Sequence, residues 1–400
     1  MHETHMTSLQ RNTTKLYAFS FLQKTLFPMA IITLFWKDRI GLSLTQILLL
    51  QSIFSVASVL LEYPSGYVSD RLGYRVALTI ASLLGMVGWG LYAVAGSFGQ
   101  VLAAEILLGI SLSFISGSDS ALLYETLKAE GQEQFYSRHE GRMNGCAQTG
   151  EALGAVFAGV LYAAAPLLPF ILQTVVWFLA LMITRTMVEP KRELSAPVSH
   201  LAEALRTTKF AFRENRRLRA IILLNAVLGM ASFYPVWLIQ PYMQHAGVPV
   251  AWFGPIWAGA NLTVALFALA SHRVNNSLGT RRMVILFIVL IGMGYFGLGL
   301  TGGIGGFLFY YLLTAMRGLR GPMMLHHAQM ESPSANRAGI LSLQALCFRL
   351  LFAATGPLVG RLADAVGVRQ TFHLLTYAFL LVLPPLAWLF LRNLSRESEG

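Results

Sequence analysis

Residues 66–75 read Gly-Tyr-Val-Ser-Asp-Arg-Leu-Gly-Tyr-Arg, a polar turn with two glycines between two long apolar runs. The runs cover residues 44–68 and 76–95. Each run is long enough to cross a bilayer, since a membrane helix needs about 20 apolar residues. The stretch therefore predicts two membrane helices joined by a short polar loop.

The alternation of apolar runs and polar loops continues along the chain. Hydrophobic residues make up 55% of the 400, charged residues only 12%, and the mean hydropathy is +0.57. A soluble domain carries about 25% charged residues. We predict an all-α membrane protein with twelve transmembrane helices, near residues 16–36, 44–68, 76–95, 101–123, 143–164, 167–187, 219–240, 251–270, 282–300, 305–325, 338–359 and 371–392.

The twelve segments divide into two pseudo-symmetric six-helix bundles. The predicted N-terminal bundle covers residues 1–187, a basic linker covers 188–218, and the C-terminal bundle covers 219–400. We expect a short amphipathic helix within the linker, around residues 200–212. The sequence Leu-Gly-Tyr-Arg at 72–75 is echoed by Leu-Gly-Thr-Arg at 278–281, an offset of 206 residues. Internal repeats of this kind build many transporters, with the substrate site between the halves near the membrane midplane.

The basic residues predict an orientation. If the N-terminus is cytoplasmic, the inner segments hold 24 Lys and Arg and the outer loops hold 4. Basic residues concentrate in cytoplasmic loops. We therefore expect a multi-pass protein of a bacterial inner membrane with both termini in the cytoplasm. The same rule accounts for the net charge of +11, so nucleic acid is not an expected partner.

The sequence lacks the motifs that are typical of several other classes of protein. The two cysteines, Cys146 and Cys347, lie far apart in apolar stretches and offer neither a disulfide framework nor a metal site. The sequence contains neither a nucleotide-binding G-x-x-x-x-G-K-[ST] loop nor a nucleophile elbow. We expect no enzyme activity, no cofactor or metal, and no cleavable signal peptide. The expected partners are a small-molecule substrate, protons and the lipid bilayer, with the chain a monomer.

The turn at 66–75 matches the pattern G-x-x-x-D-R-x-G-x-R through Gly66, Asp70, Arg71, Gly73 and Arg75. With the twelve segments and the basic linker, it resembles the major facilitator superfamily, in particular bacterial drug:proton antiporters. The resemblance implies a cytoplasmic latch in which Asp70 docks at the start of helix 11, near residues 336–338. Asp119, at the inner end of helix 4, is the implied partner acid. In the second half, Asn276 and Ser277 replace the Asp-Arg pair, so the implied latch is asymmetric.

Helices 5 and 4 depart from the resemblance in different degrees. Residues 150–159 resemble the antiporter motif g-x-x-x-G-P-x-x-G-G, with Gly150, Gly154 and Gly159 in place but Ala155 where proline is usual. Small residues at this spacing serve close helix packing or export coupling. In helix 4, Glu105 stands where such antiporters carry an arginine. That exchange leaves open whether proton antiport follows the usual scheme.

Charged residues within membrane segments usually mark function, because an ionisable group is costly in hydrocarbon. The candidates for proton coupling or ion pairing are Lys24, Glu62, Glu105, Glu151 and Arg349. Lys24 and Glu151 have similar depth and predict an ion pair. Arg349 is expected to meet Glu62 or an anionic part of a substrate, and Glu105 either couples protons or reaches water at its helix end. Structural pairing that orients helices is the alternative for each.

Other polar and aromatic side chains are candidates for a substrate cavity: Gln23, Asn225, Tyr234, Trp237, Gln240, Trp257 and Asn261. Pro235 and Pro322 predict breaks or kinks in helices 7 and 10. Arg317 and Arg320 are expected at the inner surface, beside two histidines.

Together these features predict a secondary transporter that works by alternating access, with proton-coupled export of a small amphipathic compound favoured. Two alternatives remain open. One is uptake of a nutrient or metal chelate, or lipid flipping, within the same fold. The other is a membrane receptor or assembly partner that does not transport.

Overall fold

All regular structure in the described part of the chain is helical. The structure is a computed structural model, and it describes residues 10–190, 200–332 and 337–395. The helices of the first part are α1 (Gln10–Lys24), α2 (Ile32–Leu34), α3 (Leu44–Leu72), α4 (Tyr74–Val94), α5 (Phe98–Ile115), α6 (Ser118–Ala129), α7 (Tyr136–Ala164) and α8 (Leu168–Thr186). Those that follow are α9 (His200–Lys209), α10 (Arg216–His245), α11 (Phe253–Leu300), α12 (Leu308–Met330), α13 (Arg337–Val366) and α14 (Val368–Ser395).

Each of the twelve predicted segments overlaps one of these helices or part of one. Helix 1 is formed by α1, α2 and a π-helical turn at Phe35–Arg39, and helix 4 by α5 and α6. Helices 8 and 9 are joined in α11, where Gly279 has a φ of 74° and interrupts the helical backbone. The matching Gly73, with a φ of 108°, separates α3 from α4. The 206-residue echo in the sequence thus corresponds to the same backbone turn in both places.

Eight helical segments of the described chain are long and apolar enough to cross a membrane, and one of them, Val250–Leu300, has the length of two spans. The three predicted segments outside this set are helices 1, 5 and 10. Helix 1 is interrupted. Helix 5 corresponds to α7, which starts with the polar sequence Tyr-Ser-Arg-His-Glu. In α12, Arg317 and Arg320 lie at positions 10 and 13 of a 23-residue helix.

The interruption of helix 1 lies between Lys24 and Ile32, around Pro28. Proline lacks an N–H and cannot continue a helical ladder. The freed amide of Phe27 donates to Oε1 of Gln173 on α8 at 3.0 Å, so a side chain satisfies the broken backbone. Pro235 and Pro322 lie within continuous helices, α10 and α12, so the predicted breaks are not seen and a kink at either proline stays a prediction.

Contacts divide the chain into two compact units. The first comprises Met1–Leu42, Ile53–Ala196 and Val250–Trp257, and the second comprises Ser43–Ser52, Pro197–Pro249 and Ala258–Gly400. The core of each is rich in aromatic side chains. In the first unit, Tyr92 packs against Trp36, Trp89 and Phe170. In the second unit, Tyr295 lies against Phe372 and Phe379, with ring centroids 5.8 and 5.3 Å away.

The helical part of the linker packs into the second unit. α9 continues into a π-helical turn at Phe210–Glu214, close to the predicted amphipathic helix. Ala211 is buried in a cluster with Leu218, Ile222, Ile340 and Leu343. This cluster joins the linker to α10 and α13.

Candidate functional site

The turn at 66–75 is organised by an acid that the sequence motif does not contain. Glu189, just after α8, accepts hydrogen bonds from the backbone N–H groups of Tyr74 (2.9 Å, Oε1) and Arg75 (2.7 Å, Oε2). A carboxylate at a helix N-terminus satisfies unpaired amides and complements the helix dipole. Glu189 is therefore the N-terminal cap of α4, which sequence reasoning missed although the acid follows directly on helix 6.

Gly73 is required at this cap for two reasons. Its φ of 108° is a backbone conformation that residues with a Cβ atom rarely adopt. A Cβ there would also lie 2.9 Å from the carboxyl carbon of Glu189. The second glycine of the motif thus serves both the turn and the carboxylate that caps the next helix.

Arg75 joins α4 to α8, because its Nη2 donates to the main-chain oxygen of Arg185 at 2.8 Å. Gly66 and Arg71 are exposed on α3. The side chains of Asp70 and Glu62 lie outside the described residues, as does Asn336 at the expected docking point. The latch therefore stays a prediction.

Asp119 lies in the first turn of α6, after Gly117 with its φ of 83°. Its Oδ1 accepts from the amide of Ser120 at 2.8 Å, and the Ser120 hydroxyl donates to Oε1 of Glu140 on α7 at 2.9 Å. The Lys24–Glu151 ion pair stays a prediction.

The glycines of the helix 5 motif face backbone. A Cβ on Gly150 would lie 2.2 Å from the carbonyl oxygen of Phe21, and one on Gly154 would lie 2.6 Å from the amide nitrogen of Leu26. Gly159 lies as closely against the carbonyl oxygen of Val250. Two of the three glycines therefore let α7 pack closely against helix 1, near the end of α1. Glu151, next to Gly150, is half-buried.

Glu105 is buried, with 5% of its surface exposed, so it does not reach water at its helix end. The hydroxyl of Tyr92 donates a hydrogen bond to its Oε1. Tyr92 is itself fully buried among Trp36, Trp89 and Phe170. The structure therefore places a carboxyl group in an aromatic core of the first unit.

A second polar cluster lies between α10, α12 and α13. Nη1 of Arg320 donates to the carbonyl oxygen (2.9 Å) and to Oδ1 (2.8 Å) of Asn225, whose Nδ2 donates to Oε1 of Gln344 at 3.0 Å. Nη2 of Arg317 donates to the carbonyl oxygen of Ser232 at 2.8 Å. Asn225 was a predicted cavity residue. The two arginines were expected at the inner surface, and their position in the middle of α12 corrects that expectation. Their three-residue spacing within an apolar run is the sequence feature that could have indicated a shared position inside the helix.

The other cavity candidates have varied environments. The hydroxyl of Tyr234 donates to Oγ1 of Thr355 on α13 at 2.7 Å. Trp237, Gln240 and Trp257 are buried, and Gln23, Asn261 and Arg349 are half-buried. Tyr234 and Asn225, both on α10, thus each hydrogen-bond to a side chain of α13.

The turn that repeats the motif pattern at Gly360, Asp364, Gly367 and Arg369 caps another helix. Oδ1 and Oδ2 of Asp364 accept from the amides of Leu44 (2.8 Å) and Thr45 (2.9 Å). The Thr45 hydroxyl donates to the same carboxylate at 2.6 Å. Asp364 therefore caps the N-terminus of α3, as Glu189 caps α4.

Comparison with known proteins gives consistent results. The chain is similar to the uncharacterized MFS-type transporter YxaM of Bacillus subtilis (strain 168), at 21% identity over 391 residues and 92% of each chain. In fold it is similar to a mutant of the nucleoside transporter NupG (TM-score 0.79, 14% identity, 95% of this chain and 99% of that one). It is also similar to an inward-facing bacterial homologue of the human lysosomal transporter Spinster (TM-score 0.76, 14% identity, 98% of both chains). A POT family transporter solved with 5-aminolevulinic acid gives a TM-score of 0.74 at 14% identity, over 96% of both chains.

The family comparison agrees with the geometry of the site. A polar turn with Gly73 at its end joins α3 to α4, and the same turn recurs at Gly279. The family model of the Major Facilitator Superfamily matches residues 16–350. That match takes in the turn, its repeat, and the polar clusters of both units. The chain is a multi-pass membrane transporter, and it belongs to the Major Facilitator Superfamily.

Proposed function

We propose that this transporter exports a small amphipathic compound in exchange for protons, across a bacterial inner membrane and by alternating access. The observation that carries the proposal is the buried carboxyl group of Glu105, hydrogen-bonded to Tyr92. Burying a carboxylate among aromatic rings costs several kcal/mol that a bound proton would remove. A protein that exposes this group on one side and buries it again would carry a proton with each cycle.

The contact between α7 and helix 1 supports export. The residues that resemble an antiporter motif, Gly150 and Gly154, lie against the interrupted part of helix 1. Interrupted helices form sites in many transporters, since their free backbone groups can bind a substrate or ion. A close contact between glycines and backbone would let α7 guide movement of this segment. Gln23, one residue before Lys24, is the cavity candidate nearest the interruption along the chain.

The orientation and the latch belong to the same proposal. Both termini lie in the cytoplasm, because the basic segments would otherwise face outward. The turn at 66–75 is then cytoplasmic, and Asp70 and Asp119 act there as the latch. Asp70→Asn should weaken closure and raise the reactivity of cysteines introduced nearby. Unchanged reactivity and transport would remove Asp70 from this role.

Transport in proteoliposomes tests the coupling. Vesicles with an acidic interior and an internal pH-sensitive dye are given a panel of labelled amphipathic compounds. We expect compounds to accumulate while protons leave, and Glu105→Gln to abolish accumulation but keep exchange in the absence of a gradient. Glu133→Gln, at an exposed surface position, is the matched control. If no compound responds to the pH gradient, proton coupling is wrong.

The same vesicles separate the alternatives. Proton entry together with the compound would indicate uptake, and movement of a fluorescent phospholipid between leaflets would indicate lipid flipping. A stable complex with another membrane protein, and no transport by the purified chain, would indicate a receptor or assembly partner. Each of these results contradicts export.

A further inference from the structure

Two arginines lie together in the middle of α12. Arg317 and Arg320 are three residues apart, so they share one helix face, where like charges repel. Both are half-buried. Cations in a membrane helix are costly and usually face a partner or a cavity. The pair therefore calls for a compensating negative charge.

The described residues around the pair supply dipoles and not charges. Arg320 contacts the carbonyl and side-chain oxygens of Asn225, and Arg317 contacts the hydroxyl (3.3 Å) and carbonyl oxygens of Ser232. Nε of Arg320 is buried and has no hydrogen-bond partner among the described atoms. An arginine has five N–H donors in a planar fork that matches the two oxygens of a carboxylate. Within the part of the chain that the structure describes, each of the two side chains thus has N–H donors that make no hydrogen bond.

The acids of this half of the chain are engaged elsewhere. Between Arg216 and Arg396 the sequence contains only two, Glu331 and Asp364. Oε1 of Glu331 lies 3.5 Å from Nη1 of Arg217, at the far end of α12. Asp364 caps α3. Neither is available to the arginine pair.

Aromatic rings lie beside Arg320. A Cβ on Gly229 would meet the ring of Phe348 at 2.9 Å and Nη1 of Arg320 at 3.1 Å, so both groups converge on this glycine of α10. Phe348 packs edge-on against Phe233 with ring centroids 5.3 Å apart, and Phe233 packs against Phe352 at 4.9 Å. The cationic pair is thus bordered by an aromatic surface.

We infer that Arg317 and Arg320 bind the carboxylate of an organic anion whose aromatic body lies against Phe348 and Phe233. The inference rests on the proposed function, because it names the chemical class of the transported compound. Asn225 and Gln344 are positioning residues that fix the Arg320 guanidinium. Arginine and aromatic side chains together bind such a ligand through paired hydrogen bonds and apolar contact.

Binding without any gradient tests this inference separately from transport. Purified protein in phosphatidylcholine nanodiscs is titrated with 2-naphthoate, neutral 2-naphthamide and cationic 2-naphthylmethyl-trimethylammonium, which share one aromatic body. We expect the anion to raise the unfolding temperature, and the other two to have little effect. Arg317→Gln and Arg320→Gln should each weaken binding of the anion about tenfold or more. Arg273→Gln, an exposed arginine of α11, should bind as the unaltered protein does.

Each other result overturns the inference. Equal stabilisation by the amide or the ammonium compound, or no stabilisation by the anion, excludes an anion site. Unchanged binding by both glutamine variants places the anion elsewhere. If phosphatidylglycerol in the nanodiscs stabilises the protein and removes the response to 2-naphthoate, the ligand is lipid phosphate. Should a glutamine variant fail to fold, Arg320→Lys keeps the charge without the fork and should still weaken binding.

Discussion

At the scale of single residues, the turn between α3 and α4 depends on Gly73. Its φ of 108° and the nearby Glu189 carboxylate both oppose a side chain. We expect Gly73→Ala to destabilise the protein by about 1–2 kcal/mol, because alanine is strained in this conformation. Thermal unfolding in detergent measures the effect. Gly141→Ala, at an exposed helical position with open space around it, is the control and should unfold near the original temperature.

A second residue-scale prediction concerns His139, in the first turn of α7 and before the predicted membrane segment. Burial, followed by the charges of Arg142 and Arg138, lowers the pKa of His139 below its usual value. The hydroxyl of Tyr17 lies 2.6 Å from its Nδ1. The folded protein thus binds a proton at His139 less readily than the unfolded chain does.

The sign of the resulting pH dependence follows from linkage. Stability is full above the unfolded pKa of about 6.5 and falls as the pH drops toward the lowered folded value. We expect His139→Gln to reduce the loss of stability on acidification from pH 7 to pH 5, measured as unfolding temperature against pH. Ser137→Ala, at an exposed and non-titrating position of the same turn, is the control and should leave the slope unchanged. An unaltered slope in His139→Gln would contradict the assignment.

From the sequence, the role of a single residue can be predicted only where that residue belongs to a local pattern. The motif glycines and arginines are visible because they stand within ten positions of one another. Glu189 is separated from its partner Tyr74 by 115 positions, and only the fold brings the carboxylate to that amide. The same holds for Asp364 and Leu44, which are 320 positions apart. Caps provided by distant residues carry no local pattern.

At the scale of elements, the contact between α7 and helix 1 makes a sharp prediction. A Cβ on Gly150 would approach the carbonyl oxygen of Phe21 to 2.2 Å, so backbone must move to admit it. Overpacking of this kind costs about 1–3 kcal/mol. We expect Gly150→Ala to lower the unfolding temperature and to slow transport, measured in detergent and in proteoliposomes respectively.

The same helix supplies the control for this contact. Gly145 lies five residues earlier on α7, and a Cβ there would meet nothing within 4 Å. Gly145→Ala should therefore match the unaltered protein or slightly exceed its stability, since alanine is the better helix former. Equal behaviour of the two variants would show that α7 does not pack on helix 1 through Gly150.

Element boundaries followed from hydropathy, but interruptions did not. The apolar run at residues 16–36 is continuous in composition, so it predicted one helix where the structure has two with a turn between them. Pro28 is the local cause, yet Pro235 and Pro322 lie within intact helices. At the interruption of helix 1, the side chain of Gln173 satisfies the backbone amide of Phe27. Backbone groups freed within a membrane helix need such partners.

At the scale of the whole molecule, hydropathy, charge and the repeated turn together predicted the family. Three of the twelve predicted segments, helices 1, 5 and 10, are not among the eight helical segments of the described chain that are long and apolar enough to cross a membrane. Arg317 and Arg320, predicted at the inner surface, lie in the middle of α12, which is the helix of the tenth segment. The arginine pair therefore lies in a segment with a weak hydropathy pattern, whereas Glu105 lies in a strongly apolar one. An ionisable residue within a membrane helix is a candidate functional residue in both cases.

Orientation is the prediction that belongs to the molecule as a whole. The predicted cytoplasmic segments held 24 Lys and Arg, including Arg317 and Arg320. Because these two lie within α12, 22 basic residues remain on the proposed cytoplasmic side against 4 outside. A single added or lost span would reverse the sides of everything beyond it. With Cys146 and Cys347 replaced by serine, we expect a membrane-impermeant maleimide to label Gly99→Cys on intact cells. Glu133→Cys, beyond the next span, should react only after the membrane is opened. Labelling of Glu133→Cys and not Gly99→Cys on intact cells would invert the topology, and the turn at 66–75 would then face outward and could not close the cytoplasmic side.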